Sequence, residues 1–122
     1  MATALNAAEV KLLTEIGFIA LWSGLVREAE VIFNGIQAAR PHGEAGTIGM
    51  AMVHLAESRV EEAIALLRSQ RRSVAARVYL GLALSKQGNV RLARKTLQGV
   101  VERAPDTPFA ELARAGLQEL PA

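Results

Sequence analysis

The 122-residue chain has no cysteine, which removes disulfides, thiolate catalysis and cysteine-based metal sites. A redox compartment therefore cannot be read from its thiols. Aromatic residues are scarce at 4%, against 51% hydrophobic residues overall, so the apolar content is mostly Ala, Leu, Val and Ile. That mixture suits closely packed helices better than a β-sandwich, which draws on aromatic and β-branched side chains. Long apolar runs are missing too. The stretch Val10 to Trp22 is broken by Lys11 and Glu15, and nothing approaches the roughly 20 residues of a membrane span. The segment Met1 to Asn6 lacks the positive n-region of a secretion signal, so a soluble, cytosolic chain is the expectation. Nor is there a strong excess of either charge. A formal net charge of +2 is weak support for nucleic acid or a membrane surface as partner.

Catalytic signatures are also lacking. The glycines are isolated, GxxxxGK[ST] is absent, and no serine stands in a nucleophile-elbow context. His42, in the Pro41-His42-Gly43 link, and His54, within a helical run, are the only histidines and read as surface or structural groups. His54 is expected to be half-buried and hydrogen-bonded. The expectation is a non-enzymatic chain without metal or cofactor.

What the sequence does contain is repetition. Ala29, Ala63 and Ala93 each sit in an amphipathic run, 34 and then 30 residues apart. Gly17, Ala51 and Gly81 precede them by 12 residues, and Gly24, Ser58 and Gly88 by 5. Phe33, Leu67 and Leu97 follow by 4, while Pro41 and Pro105 follow the first and third by 12. Small residues on paired helices allow a short interaxial distance, so Gly17 and Gly81 are expected to face Ala29 and Ala93. Gly24 and Gly88 supply the turns, where a positive φ costs glycine little. Helices are predicted near 7–23, 26–40, 44–57, 60–70, 74–87, 90–104 and 108–119. Asn6-Ala7-Ala8-Glu9 and Ser58-Arg59-Val60-Glu61 read as capping boxes, Asn89 as a cap, and Thr107-Pro108 as a cap before a first-turn proline. Repeat two departs from the pattern: it has no turn glycine, no closing proline, and about one helical turn is missing around Ser69 to Ser73.

In these offsets, which run in phase over most of the chain, the sequence resembles the tetratricopeptide repeat family. The resemblance implies an all-α, right-handed helical solenoid in one domain, with repeats at about 10–43, 44–73 and 74–107 and a capping helix at 108–120. It also places the first helix of each pair on a concave face. The inner face would then show Phe18, Leu21 and Trp22, then Ile48, Met52 and Leu55, then Val78, Tyr79 and Leu82. This set holds the only Trp and the only Tyr of the chain, types favoured as interface anchors. Apolar residues at helical spacing serve a core more often than a binding face. The first helix, however, is apolar nearly all round: Leu12, Leu13, Ile16, Ile19 and Ala20 can face the partner helix while Phe18, Leu21 and Trp22 point elsewhere. Such a helix must be covered on a second side, either by the capping helix or by a partner. The Lys/Asn/Arg set that clamps acidic C-termini in some members is missing, since the matching positions hold Lys11, Thr14, Phe18, Gly49, Ala75 and Tyr79.

Within that family the segments Glu15-Ile16-Gly17-Phe18-Ile19-Ala20 and Leu25 to Pro41 resemble the small chaperones of bacterial type III secretion systems, nearest to the group that guards the needle subunit. The resemblance implies a cytoplasmic bacterial protein linked to virulence. Its groove would bury an amphipathic helix of a polymerising secreted subunit, with a second small helical co-chaperone as a further partner. A self-associating scaffold, a homodimer through the same groove, is the alternative. The basic residues Arg68, Arg71, Arg72 and Arg77, with Arg91, Arg94 and Lys95, read as a solvated face or as a match for an acidic patch on a partner protein. Nucleic acid is disfavoured because no aromatic residues interleave with them.

Overall fold

The computed structural model describes residues 4–122 as seven α-helices, with no strand among the described residues. They are α1 (Ala7–Trp22), α2 (Val26–Ala39), α3 (Glu44–Ala56), α4 (Val60–Arg68), α5 (Val74–Gln87), α6 (Val90–Arg103) and α7 (Pro108–Glu119). Each agrees with the sequence expectation to within two residues. The chain forms two compact units, Met1–Arg59 and Val60–Ala122, so the boundary falls inside the pair read as the second hairpin.

In the first unit α1 packs on α2 and α3, and α2 on α3. The capping box at Asn6 closes the start of α1: Glu9 N–H donates to Asn6 Oδ1 at 2.8 Å and Asn6 N–H to Glu9 Oε1 at 3.0 Å. Arg40 fastens the preceding segment by donating from Nε and Nη2 to the Leu5 carbonyl at 3.1 and 2.6 Å. The core is Ala20, Leu21, Ala29, Phe33, Ile36 and Val53, with Leu13, Phe18, Ile32 and Met52 among those packed around it. Phe33 organises this core. Its ring lies against two glycines, Gly17 on α1 and Gly49 on α3, where any Cβ would collide with it. Gly17 was expected to oppose Ala29, but it is the bulky residue one turn further along α2 that fills the gap. A ring needs a deeper recess than a methyl, and glycine provides one.

Helix ends repeat more faithfully than the sequence suggested. Leu25 N–H donates to the Ala20 carbonyl, Arg59 N–H to His54 and Asn89 N–H to Leu84, each at 2.8–3.0 Å. The residue before each donor is left-handed: Gly24 at φ +82°, Ser58 at +63° and Gly88 at +93°. Ser58 is thus not the N-cap of α4, because an N-cap needs extended backbone. It fills the left-handed closing position of α3, where the other two turns use glycine.

In the second unit α4 packs on α5, α5 on α6 and α7, and α6 on α7. Helix α4 has 9 residues where α2 and α6 have 14, which is the missing turn expected at its end. Ser73 caps α5, accepting from Ala76 N–H at 3.0 Å. Asn89 caps α6 and Thr107 caps α7, each accepting at 3.3 Å from an N–H three residues on. Leu97 repeats the role of Phe33. It lies against Gly81 of α5, and a Cβ on Gly116 of α7 would stand 3.1 Å from its Cδ1. Helix α7 is therefore packed into its unit, held also by Arg94 Nη2 donating to the Pro121 carbonyl at 2.5 Å.

Candidate protein-binding site

The nine residues assigned to an inner face differ widely in the surface they offer. Val78 has none, and Ile48, Leu55 and Leu21 are buried at 5, 7 and 9% exposure. Their apolar area is already spent within the fold. Phe18, Met52, Tyr79 and Leu82 are half-buried, and Trp22 is 74% exposed. Leu82 touches the capping helix, since a Cβ on Gly116 would lie 2.9 Å from its Cδ2. In the second unit the capping helix thus takes up part of the predicted face. Burial pushes the pKa of the Tyr79 phenol above its ordinary value of 10.0.

The first unit is different. Trp22 stands at the outer end of an aromatic series that starts in the core. Phe18 meets Phe33 edge-on with centroids 5.2 Å apart, and Trp22 tilts against Phe18 at 5.5 Å. Offset and edge-on pairs of this kind fix ring orientation and add to burial. The exposed indole is therefore held by its inner neighbours at the end of α1.

Beside it lies a stripe that the sequence reading assigned to the wrong side. Leu12, Ile16 and Ile19 were expected to face the paired helix, but they are 58, 43 and 60% exposed. The side of α1 that enters the core carries Gly17, Ala20 and Leu21. The reason is the recess at Gly17. Close approach to α2 fixes the docking side there, and residues 12, 16 and 19 lie about 100–160° round the helix from it. Together with Trp22 they expose on the order of 500 Å² of apolar side chain, toward the upper limit for one patch on a monomer. Lys11 and Glu15 are the charged residues on this part of the helix. The missed signal was the position of Gly17, which names the buried side once glycine is read as a recess for a bulky residue.

A second apolar feature of the first unit is a cleft of about 350 Å³ lined by Leu5, Leu13, Val31, Ile32, Gly35, Ala38 and Ala39. The histidines take no part in either feature. His42 is exposed, and His54 is half-buried with its Nδ1 lacking a hydrogen-bond partner, where a bonded group was expected. Among the described residues no group of three or more His, Cys, Asp or Glu is placed to hold a metal ion. No helix among them is long and apolar enough to cross a membrane.

The sequence matches no protein-family model and no curated protein. Among solved structures the chain is similar to the type III secretion chaperone SycD of Yersinia enterocolitica, crystallised in complex with a peptide of the translocator YopD. The TM-score is 0.69 at 16% sequence identity, over 93% of this chain and 92% of that one. The fold is thus all-α and tetratricopeptide-like along nearly its whole length. The neighbour was crystallised with a peptide of a translocator, not of a needle subunit.

Proposed function

We propose that this chain is a protein-binding chaperone that covers an amphipathic helix of a secreted subunit and keeps it from assembling early. The observation that carries the reading is the exposed stripe Leu12, Ile16, Ile19 and Trp22 on α1. A monomer that leaves four large apolar side chains in line on one helix gains by having them covered. An amphipathic helix laid along α1 would cover them through its own i, i+3, i+4, i+7 residues. At ~25 cal/mol per Å², removing on the order of 500 Å² from water is worth roughly 12 kcal/mol before the cost of association. Phe18 and Met52, half-buried in the same unit, are the remaining contact residues of this proposal. The likeness in fold to a type III secretion chaperone crystallised with a translocator peptide supports it. A needle subunit is one such cargo, with a small co-chaperone as a further partner in a bacterial cytoplasm.

Self-association is the alternative that the same stripe favours. Pairing two copies through it would bury on the order of 1,000 Å² in total, at the low end of specific interfaces. A partner bringing a longer apolar face offers more, so the chaperone reading is preferred. Co-expression with small helical secreted subunits of type III systems, followed by size-exclusion chromatography, tests the choice. A stoichiometric complex that Ile19→Glu abolishes is the expected result. A stable homodimer that ignores every such protein would overturn it.

A further inference from the structure

Between Glu62 and Glu102 the sequence holds eight Lys or Arg residues and no Asp or Glu. The second unit gathers the first four of these and Arg103 around the start of α5. Two clefts open there. One, of about 230 Å³, is lined by Leu67, Arg68, Gln70, Arg71, Arg77 and Leu80. The other, of about 310 Å³, is lined by Arg71, Arg72, Ser73, Val74, Arg77, Val100 and Arg103. Arg71 and Arg77 border both, and no acidic residue lines either.

Among the described residues none of these five arginines pairs with a carboxylate or donates a side-chain hydrogen bond. Arg68 and Arg103 stand in the last turns of α4 and α6, where the helix dipole favours a cation. That account fails for the others. Arg71 and Arg72 immediately precede α5, Arg77 lies in its first turn, and this end of a helix disfavours positive charge. The first turn of α5 also carries no acid to offset them. Like charges are thus brought together at a place where the fold gains nothing from them.

We propose that the paired clefts bind an acidic segment of a partner protein, with carboxylates entering on both sides of the Arg71 and Arg77 pair. Guanidinium groups recognise carboxylates by forked, charge-assisted hydrogen bonds. The Leu67, Leu80, Val74 and Val100 side chains give each cleft an apolar wall suited to the methylenes of Glu or Asp. Single-stranded nucleic acid fits less well, since neither cleft contains an aromatic side chain on which a base could stack. This inference does not depend on the α1 stripe, which lies in the other unit.

The test uses a fluorescein-labelled, Glu-rich peptide and the full chain, read by anisotropy. Binding is expected at about 50 mM salt and is expected to weaken steeply by about 500 mM. Arg72→Gln with Arg103→Gln, both exposed positions, should weaken it about tenfold or more while leaving far-UV helicity unchanged. Lys86→Gln with Arg91→Gln removes the same charge outside the clefts and should weaken it less than about twofold. Equal weakening by the two pairs would overturn the proposal in favour of a diffuse positive field. It would equally be overturned if oligothymidylate displaced the peptide more readily than unlabelled peptide does, or if inorganic phosphate alone displaced it at a matched concentration of charge.

Discussion

Replacing Gly49 by alanine probes the packing that sets the orientation of α1. Gly49 lies on α3 with the Phe33 ring directly against it, and a Cβ there would stand 2.0 Å from the ring's Cδ1. On its other side the ring already fills the recess at Gly17, coming within 2.7 Å of where a Cβ would stand. Phe33 itself is wholly buried. Ordinarily Gly→Ala within a helix stabilises by about 0.5–1 kcal/mol. Overpacking a core of this kind costs about 1–3 kcal/mol or more, so a net loss of about 2 kcal/mol is expected. Gly35→Ala is the internal control. It lies in α2 with open space around its Cβ direction, and the helix gain of about 0.5–1 kcal/mol should appear undiminished. Urea unfolding followed by far-UV circular dichroism would show the two variants moving in opposite directions, about 3 kcal/mol apart. Adding Phe33→Leu to Gly49→Ala should recover part of the loss, giving a coupling of about 1 kcal/mol or more in the double-mutant cycle. If Gly49→Ala were as stable as Gly35→Ala, Phe33 would not be wedged between α1 and α3.

Three further outcomes can be checked on the isolated chain. Ser58→Gly should stabilise it by about 1 kcal/mol, because a non-glycine residue at positive φ costs about that much and Gly24 and Gly88 already occupy the matching positions; an unchanged urea midpoint would contradict this. Asn6→Ala removes the reciprocal cap of α1 and should cost about 1 kcal/mol by the same assay. Tyr79, the only tyrosine, should ionise above pH 10.0 in the folded chain, since burial disfavours the phenolate. Its contribution to stability is then complete below pH 10.0 and is lost as pH rises through the higher folded value. The absorbance change of phenolate formation, recorded against pH for folded and urea-unfolded chain, reads both values.

Much of the fold was legible because tetratricopeptide spacing is a packing requirement written in small residues. Gly17, Gly24, Gly81 and Gly88 sit where a recess or a left-handed turn is needed, and the capping residues Asn6, Asn89 and Thr107 stand at helix starts. Ser58 misled because a serine two residues before a helix looks like a cap, although the same spacing placed it opposite two turn glycines. Ser73 went unread as a cap because the surrounding run of arginines reads as a loop. The binding face was less legible for a physical reason. When a helix is apolar nearly all round, periodicity cannot say which side is core, so Leu21 and Leu12 look alike in sequence. Only the ring of Phe33 entering the Gly17 recess fixes the rotation of α1, burying Leu21 and exposing Leu12, Ile16 and Ile19. Leu82 raises the same problem in the second unit, where its neighbour is the capping helix.

Trp22 is the only tryptophan in the chain, and it lies at the end of the stripe on which the functional account rests. Acrylamide quenching of its fluorescence, compared between the isolated chain and the chain co-purified with a secreted helical subunit, therefore reports on that face directly. In the isolated chain the indole should be readily quenched, and in the complex it should be protected with its emission shifted to the blue. A complex in which Trp22 remains as accessible as before would show that the partner binds elsewhere and that the α1 stripe is not the site.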